Sequence, residues 1–463
     1  MSLLARADRY WFAPARLRDL AYMRMAIVLV LLLGVLWPGA LDEQLRSATL
    51  PAEWFLSLPM LKVLLLPLGW GARPGPATLT VVWIVCGTAG LFALAGAHTR
   101  ASLATFAVTS TILIVNQYTY GTVHHPEAAA VIMMWALVFT PCGAELSVDA
   151  MRARVAASRT REEFIPRGPH QLSRDARWPM RLAQWLLVCV YLSAGLSKLV
   201  VAGPAWLNGH TLSYYFLLDG VNHRLPLTLA LAHLTWFGAV CATGALVFEL
   251  TFVLCVLVPR LSPLYLAAGT ALHTGIWLLM RPPFFQFMAL YVAFAEPVRA
   301  EWRRVRGEGR EQRVWTLVYD GYCPLCIRTM TQLDALDGAR RLRYVDLERD
   351  TARARALLPG ASIEDMREEM AVVTPSGTAF RGFYAFREIA RRLPAMWPLV
   401  PFTFAPGAAL LGTRVYAWVA ANRARRLCDG DACSVHGRGR ELAGYSVHVA
   451  APGPAGGRAA RER

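Results

Sequence analysis

Apolar residues follow two rhythms along this chain. Between about residues 18 and 300 they form long runs, and after residue 313 they alternate with charge in short segments. A helix that crosses a bilayer core needs roughly 20 apolar residues. Runs of this kind are read at 18–37, 77–97, 101–117, 127–141, 181–201, 236–258, 262–280 and 283–297, the fourth and eighth being short. The stretch EWFLSLPMLKVLLLPLGW (53–70) is broken by Pro59 and Pro67. It is read as interfacial or re-entrant, which is tolerated where protein covers the freed backbone groups. Residues 226–235 are read in the same way. The pattern predicts a polytopic α-helical membrane domain of about eight spans over 1–298, with the lipid bilayer as its partner. The basic N-terminus meets the first run without a small-residue cleavage site, so that run is expected to stay.

The second rhythm predicts a small α/β domain at 314–436, behind an Arg-rich linker at 299–313. TLVYD (316–320) and LRYVDL (342–347) read as strands, and CPLCIRTMTQLDAL (323–336) has helical spacing. MAVVTPSG (370–377) and TAFRG (378–382) read as a hairpin turning at Pro375, Ser376 and Gly377. FYAFREIARRL (383–393) is an amphipathic helix, and 409–427 reads as one more. The order β–α–β–α–β–β–α points to a thioredoxin-like layering of helices on a small sheet. The Gly-, Pro- and Arg-rich tail, 437–463, is expected to be disordered.

Charge orients the membrane domain. The net charge of +16 is nearly all arginine, with Lys62 and Lys198 the only lysines. Arginine gathers at the N-terminus, in the loop 142–180 and after the last run. With eight spans these three segments share one side, which the positive-inside rule makes the cytoplasm. The expected location is therefore the cell (inner) membrane, with both termini cytoplasmic. The arginines come with no groove-reading or base-stacking motif, so nucleic acid is not an expected partner.

Nine cysteines do not make a secreted disulfide framework here. Cys86, Cys142, Cys189, Cys241 and Cys255 lie in or beside apolar runs and read as packing residues. The stretch VYDGYCPLCIRTM (318–330) carries the chemistry. Cys323 falls at a helix N-terminus, where unpaired N–H groups and the helix dipole stabilise a thiolate. Cys326, one turn on, is placed to resolve a mixed disulfide. Pro324 suits a first turn. Asp320 and Gly321 suit the strand-to-helix turn, and Asp320 is also a candidate for proton transfer. Two other readings stay open. The pair is structural, or it is half of a zinc site completed from Cys428, Cys433 and His436, although CDGDACSVH is not a common zinc spacing. No metal is expected on the redox reading.

YDGYCPLC, the later VDL and a G-x-x-A-F resemble the DCC family of predicted thiol-disulfide oxidoreductases over about 314–427. The resemblance implies dithiol–disulfide exchange with a protein thiol partner. MREEM (366–370) lacks the proline that thioredoxin-like enzymes usually carry before the third strand, so the substrate face is expected to differ.

In the membrane half, YLSAGLSKLVVAGPAWLNGH (191–210) places Lys198 near the end of a predicted span. A lysine at membrane depth is either functional or snorkelling to the interface. Y-x-x-A-G-x-x-K-L followed by W-x-x-G resembles the HTTM module shared with vitamin K-dependent gamma-carboxylases, over about 15–297. The resemblance implies that Lys198 is a base acting on a quinone-like molecule. Glu249 and His273, each within a span, would line the same site or simply bond between helices. The leading expectation is a membrane thiol-disulfide oxidoreductase coupled to a quinone-like or lipid ligand. The alternatives are a carboxylase- or epoxidase-like membrane enzyme and a non-enzymatic membrane scaffold.

Overall fold

The computed structural model describes residues 2–437, apart from 57, 67–72, 121–124, 160–163, 165, 167–170, 307–313, 339 and 430–431. The chain divides into two compact units, Met1–Ala150 with Pro169–Arg310, and Met151–Gly168 with Glu311–Arg463.

The first unit is helical. Its principal helices are α1 (Leu3–Phe12), α2 (Leu17–Val35), α3 (Pro76–Ala95), α4 (Thr99–Tyr118), α5 (His125–Val138), α6 (Arg177–Val201), α7 (Thr235–Thr251) and α8 (Ser262–Met280). Leu20, Met23 and Ile27 of α2, Phe106 of α4 and Met133 and Met134 of α5 meet in one core. Leu33, Val81, Val200, Val240 and Leu264 point outward and are well exposed. Helices that are apolar on both faces bury one against protein and leave the other for lipid.

Among the described residues, three helical segments are long and apolar enough to cross a membrane: Pro76–Ala95, Arg174–Val201 and Pro259–Met280. The number rises to six if each of three sharply bent pairs is one span. In this unit the pairs are Leu17–Val35 with Ala40–Ser47, bent by 62°, and Pro226–Ala232 with Thr235–Thr251, bent by 95°. The third, Pro394–Phe404 with Ala408–Asn422, lies in the second unit. The expectation of eight spans is thus corrected, for three physical reasons. The run at 283–297 breaks after Pro282 and Pro283 into Phe285–Leu290 and the 3-10 turn Tyr291–Phe294. Six helical residues advance only about 9 Å. Helix α5 has 14 residues, about 21 Å and short of a bilayer core. Helix α4 has 20 residues but carries Arg100, Thr105, Thr109, Ser110, Thr111 and Asn116, which dilute its apolar character. The shared side of the three Arg-rich segments rested on the even count of eight.

Polar groups in α2 are locked inside the unit. Arg18 pairs with Glu145 at 3.1 Å. Asp19 takes Arg299 Nη1 at 2.8 Å. Arg24, wholly buried, donates from Nη2 to the Leu146 carbonyl at 2.7 Å. Charged groups survive in an apolar unit only with such partners.

The second unit holds a four-stranded mixed sheet. Its strands are β1 (Trp315–Tyr319), β2 (Leu342–Asp346), β3 (Ala371–Val373) and β4 (Ala379–Arg381), in spatial order β2-β1-β3-β4. β1 runs parallel to β2 and antiparallel to β3, and β3 runs antiparallel to β4. Gly377, at φ 86°, closes the predicted hairpin turn by donating to the Thr374 carbonyl at 2.9 Å. Helices α9 (Pro324–Leu336), α10 (Gly382–Arg392) and α11 (Ala408–Asn422) follow the expected order. Leu317, Ile327, Met330, Leu333, Val372 and Ile389 form the main core. Phe164, from the 151–168 excursion, joins that core with its ring centroid 4.8 Å from that of Tyr344.

The helix expected over 409–427 ends at Asn422. Arg423 turns to extended backbone, and the chain continues as β5 (Ala424–Asp429), paired antiparallel with β6 (Ala432–Gly437). The linker region begins as helix Ala295–Arg306. Residues 307–313 and the tail beyond Gly437 lie outside the described residues.

Candidate active site

The CxxC turn is assembled by β1 and α9. The last three residues of β1 are buried, and the chain leaves the strand at Asp320, itself 1% exposed. Asp320 Oδ1 accepts the Tyr322 N–H at 3.0 Å, and its carbonyl accepts the Cys323 N–H at 3.3 Å. These bonds hold the turn that aims Cys323 at the helix. Only glycine suits the next position. A Cβ at residue 321 would lie 2.2 Å from both carboxylate oxygens of Asp346 at the end of β2. Pro324 then occupies the first turn of α9, where its missing N–H costs nothing.

Cys323 is the N-cap of α9. Its backbone is extended, at φ −92° and ψ 110°, and its sulfur accepts the Cys326 N–H at 3.3 Å. Both thiols are free. The Cys326 side chain also hydrogen-bonds to the Cys323 sulfur, and this is the main cause holding the Cys323 thiol below its ordinary value. The Cys326 N–H and the positive Arg423 act in the same direction, against burial and Asp320. The same bond, together with burial, pushes Cys326 well up. The two cysteines are therefore unequal. The first is prepared as thiolate and the second keeps its proton.

Arg423 completes the surroundings. Its Nη1 approaches Cys326 Sγ at 3.5 Å, and its Nη2 donates to the Arg367 carbonyl. The position carried no motif. Its only sequence signal was an arginine after a helix-like run. Asp346 and Tyr319 form a further pair. The Tyr319 phenol, raised mainly by burial, hydrogen-bonds to Asp346 and lies within electrostatic reach of Cys326. Asp346 is itself raised, first by burial. The VDL stretch contained it, but the strand pattern gave no reason to single it out.

Where thioredoxin-like enzymes usually carry proline, this chain has Met370, whose N–H donates to the Tyr416 hydroxyl at 3.0 Å. A phenol from α11 thus occupies a backbone donor next to the third strand. Cys323 is 0% exposed and Cys326 9%, while Tyr322 and Leu325 beside them are exposed. A partner disulfide reaches the first sulfur only after a covering group moves. Cys428 and Cys433 stand directly opposite each other in the β5–β6 register, with side chains outside the described residues, as is that of His436.

The membrane-domain candidates fall into two neighbouring groups. Lys198 Nζ donates to both carboxylate oxygens of Glu249 at 2.7 Å, and sits 5.4 Å from the Trp206 ring centroid. Gly195 allows this approach, since a Cβ there would lie 2.9 Å from Leu250 Cδ2 and 3.2 Å from Glu249 Cβ. His273 is not in that pair. Its Nε2 meets the Tyr191 hydroxyl at 2.7 Å, and Tyr191 in turn meets the Tyr291 hydroxyl at 2.8 Å. Tyr191 and Lys198 share α6, about 10 Å apart along its axis. Sequence reasoning brought in Lys198, Glu249 and His273, quoted Tyr191 only as the first residue of the motif without giving it a role, and missed Tyr291. A lysine held by both carboxylate oxygens acts as a base only after that contact opens.

The family model for DCC1-like thiol-disulfide oxidoreductases matches residues 317–429, from β1 to the end of β5. No match to the HTTM module was found. No curated protein and no solved structure matches the chain. The chain thus carries a DCC-family thiol-disulfide oxidoreductase domain near its C-terminus, together with a largely helical region containing candidate membrane spans.

Proposed function

We propose that this protein is a membrane-bound thiol-disulfide oxidoreductase in which Cys323 attacks and Cys326 resolves. The observation that carries the reading is the asymmetric pair at the start of α9, where the Cys326 N–H and thiol both serve the Cys323 sulfur. The sheet order β2-β1-β3-β4, with the pair at the C-terminal end of β1, supports a thioredoxin-like domain. The Cys323 thiolate attacks a partner disulfide, forming one S–S bond and releasing the first partner sulfur as a thiolate that takes up a proton. Cys326, losing its proton as Arg423 steadies the developing charge, attacks Cys323 and frees the second. Two electrons and two protons pass from the dithiol to the partner. Asp320 and Asp346 are the carboxylates nearest this turn, and Asp320 acts mainly by holding the backbone. Arginine-rich segments flanking the membrane region favour placing the domain in the cytosol, where cellular thiols would reduce it.

The reading extends to the membrane half. Lys198, Glu249 and His273 are placed at a site for a quinone-like or lipid ligand that exchanges electrons with the pair. A half-buried ion pair and a buried Tyr–His contact amid apolar helices favour a ligand here, since polar side chains at membrane depth mark function by default. The test is to trap partners on the full-length Cys326→Ser variant. A mixed disulfide mapped to Cys323, absent in Cys323→Ser, is expected. If partners attach equally to the double variant, the reading fails. For the extension, an added quinone should oxidise the pair in the native chain and not in Lys198→Met. Equal oxidation in both rejects the coupling.

A further inference from the structure

We infer that the first unit carries a binding site for the phosphate headgroup of an anionic phospholipid, between α1 and the start of α6. Arg6, Arg9, Tyr10 and Ala13 recur at helical spacing on one face of α1, and with Arg177 and Arg181 they line an open pocket of about 540 Å³. No acidic residue lines it.

The pocket is built rather than incidental. The Trp185 indole donates to the Tyr10 hydroxyl at 2.7 Å, and the Arg181 guanidinium lies 4.4 Å from the Tyr10 ring centroid. Arg177 Nε donates to the Ala13 carbonyl at 2.8 Å. Arg174 pairs with Asp8 at 2.6 Å, which removes the acid of α1 from the balance. Glu296 reaches Arg177 at 3.3 Å, and Arg181 Nη1 donates to Gln184. Arg6 and Arg9 have no ion-pair partner among the described residues. The pocket therefore keeps a surplus of positive charge, with Arg177 and Arg181 held in place and Arg6 and Arg9 exposed beside them.

Its place in the fold selects a lipid over a soluble anion. The candidate span Arg174–Val201 carries Arg177 and Arg181 in its first turns, the end of a span where basic side chains meet the headgroups. Helix α1 buries no residue, and Leu3 and Leu4 are 82% and 83% exposed. An amphipathic helix with basic and apolar faces lies in the membrane interface. A second cavity of about 240 Å³ shares Arg177 and Arg181 and has Met180, Val256 and Val292 in its wall. That apolar wall suits the first carbons of an acyl chain. Basic pockets beside membrane helices hold anionic headgroups by this combination.

The test uses the full-length protein in neutral detergent, titrated separately with phosphatidylglycerol, phosphatidylcholine and inorganic phosphate, and read by native mass spectrometry. Phosphatidylglycerol should bind in preference to phosphatidylcholine. The Arg6→Gln/Arg9→Gln variant should lose roughly 30-fold in that affinity, about fivefold for each charge at an anionic surface. Neither side chain supports the fold, so the variant remains interpretable. Equal binding of the two lipids, or an unchanged variant, overturns the site. Inorganic phosphate binding as tightly as phosphatidylglycerol also overturns it, because the ligand is then a soluble anion.

Discussion

The backbone N–H of Cys326 points at the sulfur of Cys323, 3.3 Å away across the first turn of α9. This contact, acting with the stronger effect of the Cys326 thiol on the same sulfur, makes two chemically identical residues unequal. A helix start offers N–H groups with no carbonyl partner, and a thiolate in the capping position satisfies one of them. The Cys326 thiol adds a second donor, so the charge settles on Cys323.

Alkylation of Cys323 should therefore follow a pH curve whose midpoint lies below the value of about 8.5 for a free thiol. Folding stability of the reduced protein carries the same signature. Between about pH 7 and about pH 8.5 the unfolded chain holds a proton that folded Cys323 has released, so stability rises with pH. Above that window the unfolded chain has released both protons while folded Cys326 keeps one, so stability falls. Chemical denaturation, compared with the Cys323→Ser/Cys326→Ser variant, should show a difference that peaks near about pH 8.5. A difference flat with pH would rule out the unequal pair.

Arg423→Gln should raise the Cys323 midpoint and lower its alkylation rate at neutral pH roughly fivefold, as for the loss of about 1 kcal/mol of interaction with a charged sulfur. Arg423→Lys should recover only part of this, because a point charge cannot contact both Cys326 and the Arg367 carbonyl as a guanidinium fork does. An unchanged midpoint in Arg423→Gln would remove this residue from the site.

Gly321→Ala forces a Cβ to within 2.2 Å of the Asp346 carboxylate. Overpacking of this kind costs about 1–3 kcal/mol. Adding Asp346→Ala removes the clash, so the double variant should be more stable than the sum of the two single changes implies. Thermal melts of the four proteins measure this coupling. Additive losses would mean that the two positions do not meet.

Lys198→Met leaves the half-buried Glu249 carboxyl without its cationic partner and should lower the melting temperature in detergent. Lys198→Met combined with Glu249→Gln removes both charges and should restore most of the thermal stability in detergent. If the double variant melts as low as the single one, the pair is not what the packing depends on.

The CxxC turn was legible because its chemistry is local. Cys323, Pro324 and Cys326 follow a strand signal within a few residues, and the order of elements along the chain was readable from their patterning, although the order of strands in the sheet was not. Arg423 and Asp346 were not legible, since each reaches the site from far along the chain. The helix stop at Arg423 was hidden because the following Ala424, Arg425, Arg426 and Leu427 are all good helix formers, with no Gly or Pro to mark the end. In the membrane half the periodicity found helices but overcounted spans. The apolar stretch 283–297, which composition alone reads as one span, divides into a short helix and a 3-10 turn. Tyr191 opened the quoted motif without a role and Tyr291 escaped notice, because a hydrogen-bonded tyrosine and a packing tyrosine look alike in sequence.

The most direct test of the central claim is the redox equilibrium of the Cys323–Cys326 pair in the full-length protein, poised against buffers of graded thiol and disulfide and read by peptide mass. The account predicts one reversible two-electron transition, with a tenfold change in ratio for about 30 mV. It should be lost in Cys323→Ser and replaced by a mixed disulfide in Cys326→Ser. A pair that stays dithiol across the accessible range, or is joined irreversibly, would contradict it.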